Sequence, residues 1–597
     1  MKKLIQPILF LLFPFLTILI VELPIRLSVV EVVNWGREKP HYILVTYLII
    51  FLVQSLLLAL INNFYLTIII NQIIFALVTV VNYYKMIFLN DPFLPWDLVF
   101  VRQIFDLLPN LKGMVPVNLM LFTGVVILIV TAAVIKYTKF NVLSIRRRVA
   151  AFVVSFAMLL IIVSYPTNFF NKVMAELELS NIPWDYRVSL DHNGLVLNFV
   201  SKINEMSIPT PENYSKKEVS KIVESIIAEE TVGSDTKPNI IVIMSEAFWE
   251  FEKILQNYEG ETYYPTVSEY KVGNIVSPSF GGATSNVEFE ALTGYSNNFL
   301  PDGSVPYQQF MSPYVPALPN LLKEYGYETS AFHTYHKFFW NRVVAYPALG
   351  FDRFVGLEDL ESPAYKGVFI DDREVNNLIL NQLKDATQPQ FIYAVTMQNH
   401  GMYLDERYGN DTMQIATDYS EYVNGMINTY GTGVVHSDEV LKDLLEEIET
   451  LDKPTLVVFF GDHLPNLDNT YREVGFVDAN GNFSLEDQLK LKETPVAVWN
   501  NYGKDIDDIG SISTSFLAPY IIEWAELKMP TYYRFLQNFR ENMPGYTMVV
   551  KSDADGGLYA ETPEHMMELE YQYRILQYDL LHGKRYLEEI EAEAEKN

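Results

Sequence analysis

Five apolar runs crowd into the first 165 residues, at positions 4–21, 42–61, 64–81, 117–135 and 149–165. Each approaches the roughly 20 residues that a helix needs to cross the hydrocarbon core of a bilayer, the last being the shortest. A cleaved leader ahead of a soluble protein would supply one such run, so the pattern predicts a five-helix transmembrane domain over residues 1–165. Lys2 and Lys3 precede the first run, and Lys136, Lys139 and Arg146, Arg147 and Arg148 lie between the fourth and fifth. The positive-inside rule puts those segments in the cytoplasm and delivers everything after about residue 165 to the extracellular face of the cell membrane. Residues 90–112 are then an outer loop, with an amphipathic stretch at 99–108 in the interface and Trp96 at headgroup depth.

Beyond the membrane segment the chain is acidic. A formal charge of −29 makes nucleic acid an improbable partner, and an anionic substrate would need a metal or a local basic group to offset the field. There is no cysteine, which excludes disulfides, thiolate nucleophiles and zinc–thiolate sites. Residues 166–236 are polar, carry Pro209 and Pro211, and read as an extracellular linker with a charged helical stretch at 215–230. After Pro238 short β-rich runs alternate with helical segments such as 318–325 and 439–451, the pattern of an α/β domain with a largely parallel sheet.

Three of the β-rich runs are continuous and apolar, as strands buried on both faces are. Residues 239–244 lead into Ser245-Glu246, residues 391–396 into Met397-Gln398-Asn399-His400, and residues 455–460 into Gly461-Asp462-His463. Ligands of open α/β sheets bind outside the carboxyl ends of the strands, so Glu246, His400, Asp462 and His463 are brought to one edge. A fourth contribution comes from Ser277 to Glu290, where Gly281-Gly282 permits close backbone approach and Ser285-x-x-Glu288 reads as a capping box. Thr284 thereby stands at a helix N-terminus, a place that favours phosphate. Two carboxylates, an imidazole and a hydroxyl suit Mn²⁺, Mg²⁺ or Zn²⁺. A threonine hydroxyl is a poor nucleophile at neutral pH, and coordination to such a metal would activate it toward a covalent phosphoester.

With these motifs in this order, the sequence resembles the lipoteichoic acid synthase family of membrane-anchored phosphoglycerol transferases, within the alkaline phosphatase/sulfatase superfamily. The resemblance implies a sulfatase-like catalytic domain over residues 237–523, and a metal, commonly manganese, held by Glu246, Thr284, Asp462 and His463, with Thr284 as nucleophile. The stretch Phe332-His333-Thr334-Tyr335-His336-Lys337-Phe338-Phe339-Trp340-Asn341-Arg342 looks like the family's substrate-contacting segment. It implies that Trp340 and Arg342 form a glycerol-phosphate pocket, with His400 in contact; an arginine fork suits phosphate. His333 reads either as a substrate contact or as a packed strand-end histidine. The implied donor is phosphatidylglycerol, and the implied acceptor a membrane glycolipid, its polymer, or another cell-wall or surface glycan.

The chain departs from the family pattern at Ala283, at Leu464-Pro465 and at Tyr335 and His336, which bears on the polymer made rather than on the metal and nucleophile. Alternatives are phosphoethanolamine transfer, another phosphoesterase reaction of the superfamily, or a non-catalytic envelope lipid- or partner-binding member. A sulfatase proper would need the Cys or Ser of a C/S-x-P-x-R motif, and Ser277-Pro278-Ser279 lacks the arginine. Asp371-Asp372 reads as a helix N-cap, and His436 and Asp438 as caps of a helix over 439–451. Residues 524–597 read as an acidic, solvated helical segment, packed on the domain or partly free.

Overall fold

The computed structural model describes residues 2–89, 92–98, 131–138, 142–163, 186–203, 208–226, 237–255, 258–301, 303–403, 406–415, 417–479 and 483–594. Its contacts divide the chain into two units, residues 1–207 with 302–304, and residues 208–301 with 305–597.

Among the described residues of the first unit three helices are long and apolar enough to cross a membrane: Gln6–Arg26, Pro40–Ile61 and Phe64–Met86. The fifth run forms the helix Ile145–Val163, while most of the fourth run and the amphipathic stretch 99–108 lie outside the described residues. Arg148 explains part of the basic cluster: its guanidinium donates to the Ala59 and Leu60 carbonyls, where the Pro40–Ile61 helix ends and its dipole favours a cation. These helices anchor the chain in the membrane, with the large α/β domain on the outer side; three or five crossings leave it on the same side.

Trp96 is buried within the protein. It is fully enclosed in a 3₁₀ turn, Pro95–Leu98, which Asp97 closes by accepting from the Leu94 N–H and pairing with Lys85 at 2.9 Å. The polar linker also divides. Helices Tyr186–Asn193 and Leu195–Ser201 pack into the membrane unit, where Leu190, Leu195 and Leu197 join Val21, Trp35 and Ile50 in one core. From Ile208 onward the chain belongs to the other unit, and helix Lys216–Ser225 buries Val219 and Ile222 in its core.

The second unit is built on eight strands, β1 (Asn239–Ser245), β2 (Lys271–Val276), β3 (Glu328–His333), β4 (Arg353–Val355), β7 (Gln390–Val395), β8 (Thr455–Gly461), β9 (Glu493–Asn500) and β10 (Gly510–Ser513). Two short strands, β5 (Tyr365–Lys366) and β6 (Phe369–Ile370), form a separate hairpin. The large sheet runs β10-β2-β9-β8-β1-β7-β3-β4, and only β9 is antiparallel to its neighbours. β1, β7 and β8 are buried along their whole length because both faces are covered. Ile240, Val242 and Met244 enter one core with Leu456, Val458 and Phe460; Ile241 and Ile243 enter the other with Val457 and Phe459. This is why the sequence shows unbroken apolar runs there rather than alternation.

The acidic tail is part of that core. Phe535, Leu536 and Phe539 of helix Thr531–Asn542 and Tyr573 and Leu576 of helix Met567–Leu581 are buried. Its acidic residues lie largely on the outer faces of helices whose inner faces are aromatic, so composition alone suggests a solvated segment where the fold has a packed one.

Candidate active site

β1 and β8 pair in parallel with Ser245 opposite Gly461, so Glu246 and Asp462 leave the sheet at the same level. Gly461 is required: a Cβ there would meet the Phe248 carbonyl oxygen at 1.9 Å. Asp462 Oδ1 accepts from the Ala247 N–H at 2.7 Å and from the His463 N–H at 2.8 Å, which orients the carboxylate and leaves Oδ2 buried without a hydrogen-bond partner. His463 Nδ1 stands 2.9 Å from the Leu464 carbonyl. A carbonyl only accepts, so Nδ1 carries the proton and Nε2 keeps its lone pair. That Nε2 is also without a hydrogen-bond partner and lies 3.2 Å from Asp462 Oδ2.

Two electron-pair donors thus face each other in a buried site, and Glu246 is the third: ligand atoms of Glu246, Asp462 and His463 all lie within 4.8 Å of one another. Burial, then the Asp462 charge beside it, pushes the Glu246 carboxyl up to about 8. Oxygen, oxygen and imidazole nitrogen with unused lone pairs fit a divalent cation, which would supply the missing positive charge.

Thr284 begins helix Thr284–Thr293, buried, its hydroxyl making no hydrogen bond among the described residues. The loop before it is fastened beside His463, since the Gly281 N–H donates to the Leu464 carbonyl at 3.0 Å. Ala283, the residue at the N-cap, is left-handed at φ 60°, as is Ala247 after Glu246 at φ 51°. Strain of this kind costs on the order of 1–3 kcal/mol per residue and persists where surrounding structure imposes it.

The capping box does not form. Ser285 lies inside the helix with its hydroxyl buried and unpartnered, and Glu288 points elsewhere. It receives the Arg342 guanidinium, Nε at 3.0 Å and Nη2 at 2.5 Å, and the Tyr346 hydroxyl at 2.7 Å, all buried. Burial pulls the Arg342 pKa down, but Glu288 and the neighbouring tyrosines more than offset it, so the guanidinium stays charged. Its Nη1 donates to the Phe339 carbonyl, so Nε and both terminal nitrogens are engaged within the protein. Trp340 and Asn341, just before it, are both left-handed, at φ 54° and 59°, and Trp340 is half-buried.

His333 ends β3 opposite Val395, and its Nδ1 lies 3.1 Å from the Val395 carbonyl; its buried Nε2 has no partner. Burial, then Arg342, holds it well below the usual imidazole range. His400 follows β7, with Nδ1 2.9 Å from the Gly401 carbonyl, and burial lowers it as well. Three histidines at this edge therefore share one tautomer, with Nε2 available.

Asp372 stands at the N-cap position of helix Arg373–Asp385 but its side chain does not cap it. Its carboxylate accepts from the Ser437 hydroxyl and its N–H donates to Gln398, tying the chain before His400 to helix Glu421–Glu449. Burial raises its carboxyl to about 6. Asp371 accepts from the Arg373 N–H in a local turn and pairs with His436 at 3.0 Å. His436 and Asp438 lie in the middle of the Glu421–Glu449 helix rather than at its start. Asp438 does cap a helix, but a distant one, accepting from the Thr266 and Val267 N–H groups of Pro265–Tyr270. Two contributors carry no local sequence signal: Glu288 as partner of Arg342, and Thr396, whose hydroxyl accepts from the Glu246 N–H at 3.1 Å.

A family model described as Sulfatase matches residues 238–527. A putative cyclic β-1,2-glucan modification protein of Rhizobium meliloti (strain 1021) is 33% identical over 513 residues, covering 84% of this chain and 80% of that protein. The lipoteichoic acid synthase-like protein YvgJ of Bacillus subtilis (strain 168) is 28% identical over 245 residues, covering 40% of this chain and 34% of its own. Among solved structures, the Streptococcus pyogenes phosphoglycerol transferase GacH in complex with sn-glycerol-1-phosphate superposes with a TM-score of 0.54 at 22% identity. The match covers 64% of this chain and 98% of that one, a likeness of fold.

Proposed function

The chain belongs to the lipoteichoic acid synthase-like family of the alkaline phosphatase/sulfatase superfamily, and from that premise we propose that it transfers glycerol phosphate from phosphatidylglycerol to an envelope glycan through a phosphothreonine at Thr284. The observation that carries the reading is an unbonded threonine hydroxyl at a helix N-terminus, in a loop fastened beside a buried Glu246, Asp462 and His463 whose free lone pairs call for a cation.

In the first half-reaction Thr284 Oγ attacks phosphorus, the bond from phosphorus to the diacylglycerol oxygen breaks, and diacylglycerol leaves with the threonine proton. In the second, an acceptor hydroxyl attacks the phosphothreonine, the Thr284 oxygen takes a proton back, and the glycan carries glycerol phosphate. A divalent cation on Glu246, Thr284, Asp462 and His463, Mn²⁺ foremost with Mg²⁺ or Zn²⁺ as alternatives, would lower the hydroxyl pKa and offset phosphate charge. Arg342, held charged by Glu288, would add positive charge beside the phosphate and Trp340 would wall the pocket. His333 and His400, neutral and with Nε2 as acceptor, suit the glycerol hydroxyls. The name of the relative that covers most of the chain involves a cyclic glucan, which favours a glycan acceptor.

The test is full-length protein in vesicles with headgroup-labelled phosphatidylglycerol and Mn²⁺, read as diacylglycerol release. Wild type should release it and Thr284→Ala should not. No release by wild type, or equal release by the variant, refutes the proposal; release from phosphatidylethanolamine instead would move the reading to phosphoethanolamine transfer.

A further inference from the structure

Loop tips of an acidic extracellular domain ordinarily carry polar residues, yet next to His400 they are apolar. Met402, two residues on, is 81% exposed, the largest exposure among the described apolar side chains of the second unit. Beside it stands the β5–β6 hairpin, whose two-residue turn is Gly367-Val368, with Val368 53% and Tyr365 59% exposed. Gly367 (φ 71°) lies so close to Arg407 that a Cβ would meet its Cβ, Cγ and Cδ at 3.1 Å. Arg407 in turn donates to the carbonyls of His400 and Met402. Phe369, which opens the second strand of the hairpin, packs its ring 5.5 Å from that of His400 and lies under the Arg407 guanidinium. Hairpin, Arg407 and the His400–Met402 loop are therefore one packed patch at the site. A further apolar side chain, Phe280, is 43% exposed in the loop fastened beside His463.

We propose that this apolar rim seats the active site on the outer leaflet of the bilayer, with Met402 and Val368 entering the headgroup layer. The inference rests on the lipid donor proposed above and deepens it. A diacylglycerol phosphate has its acyl chains in the hydrocarbon, and its phosphorus must reach Thr284, so the rim of a site that takes it whole must touch the lipid surface. Apolar side chains that would be a solubility fault in water gain by entering the interface, with tyrosine and arginine suited to headgroup depth. The chain is itself membrane-anchored, so the domain that carries the rim is tethered to a bilayer.

The absence of cysteine in the sequence makes the test clean. Single Met402→Cys and Val368→Cys variants of the full chain, labelled with an environment-sensitive fluorophore, are placed in nanodiscs containing phosphatidylglycerol and headgroup-proximal spin-labelled lipid. Met567→Cys, exposed in the tail, is the control. The expected result is a blue shift and at least twofold quenching at 402 and 368 with none at 567. Quenching no greater than at 567, or a blue shift that comes only on adding soluble β-glucan, overturns the proposal. This readout does not depend on turnover, so it can fail while diacylglycerol release succeeds, and the reverse. In the turnover arm, Met402→Asp with Val368→Asp should lose at least tenfold in rate on long-chain phosphatidylglycerol in vesicles and keep its rate on a soluble short-chain analogue; equal loss on both would overturn the docking role.

Discussion

Replacing Glu288 with alanine should be among the most damaging changes in the catalytic domain that do not touch the proposed metal ligands. The carboxylate is fully buried and takes two nitrogens of Arg342 and the Tyr346 hydroxyl. Removing one member of a buried pair strands the other's charge, at about 3–5 kcal/mol, and the lost tyrosine bond adds about 1 kcal/mol. Arg342→Met should cost a similar amount, since it strands Glu288. The double variant should cost much less than the two singles together, because neither charge is then left uncompensated, giving a coupling of about 3 kcal/mol. The assay is urea unfolding of the full chain in detergent, followed by tryptophan fluorescence, on the four proteins of the cycle. Additive singles, or a Glu288→Ala cost below about 1 kcal/mol, would refute the claim that the pair rather than the cap is what Glu288 serves. Glu288 lies one turn beyond Thr284 on the same helix, so the pair fixes Thr284 and Arg342 relative to one another.

Further perturbations test the same geometry. Burial pushes the Glu290 carboxyl up to about 7 from 4.5, so the folded state binds the extra proton between those values and stability is lost as pH rises through 7. Glu290→Gln should therefore leave stability near pH 4.5 unchanged and raise it by about 2–3 kcal/mol at pH 8, measured by urea titrations at the two pH values. Mn²⁺ affinity, followed by calorimetry, should fall up to tenfold per pH unit below about 8, where a proton must leave Glu246 first, and should be lost in Asp462→Asn. Gly461→Ala should give a protein that fails to fold or is destabilised by more than about 3 kcal/mol, since its Cβ overlaps the Phe248 carbonyl rather than a flexible side chain; normal expression and an unchanged unfolding midpoint would contradict the packing described.

The sheet and its carboxyl edge were legible because local signals sufficed for them. A strand buried on both faces must be an unbroken apolar run, and β1, β7 and β8 are such runs, each leading into chemistry-bearing residues. What the sequence concealed was pairing at a distance. Nothing near Glu288 announces Arg342, 54 positions away, and a serine three residues before it imitates a capping box. Residues 166–236 look uniformly polar, yet the part at 186–201 holds leucines that the membrane unit buries, and the part after 208 serves the other core. In the tail, composition leaves packing on the domain and a free segment both open, and its buried tyrosines and phenylalanines settle it as packed.

Those tyrosines bear on the reacting end of the fold. The C-terminus of helix Thr284–Thr293 closes at Gly294, left-handed at φ 75°, and its carbonyl accepts from the hydroxyls of Tyr532 at 3.0 Å and Tyr573 at 2.7 Å. Gln577 of the tail holds the next turn by exchanging hydrogen bonds with the Ser296 backbone. The opposite end of the same helix has no side-chain cap at all: Ala283 offers none, and Ser285 and Glu288 are turned inward. Elsewhere in the domain Ser215, Ser420 and Ser484 cap their own helices, while helices such as Arg373–Asp385 and Thr531–Asn542 also start without a side-chain cap. With one terminus bolted down and no side-chain cap at the other, the helix dipole favours an anion at Thr284, the residue proposed to carry phosphate. The acidic tail, remote from Glu246, Asp462 and His463 in sequence, thereby takes part in holding the helix that begins at Thr284.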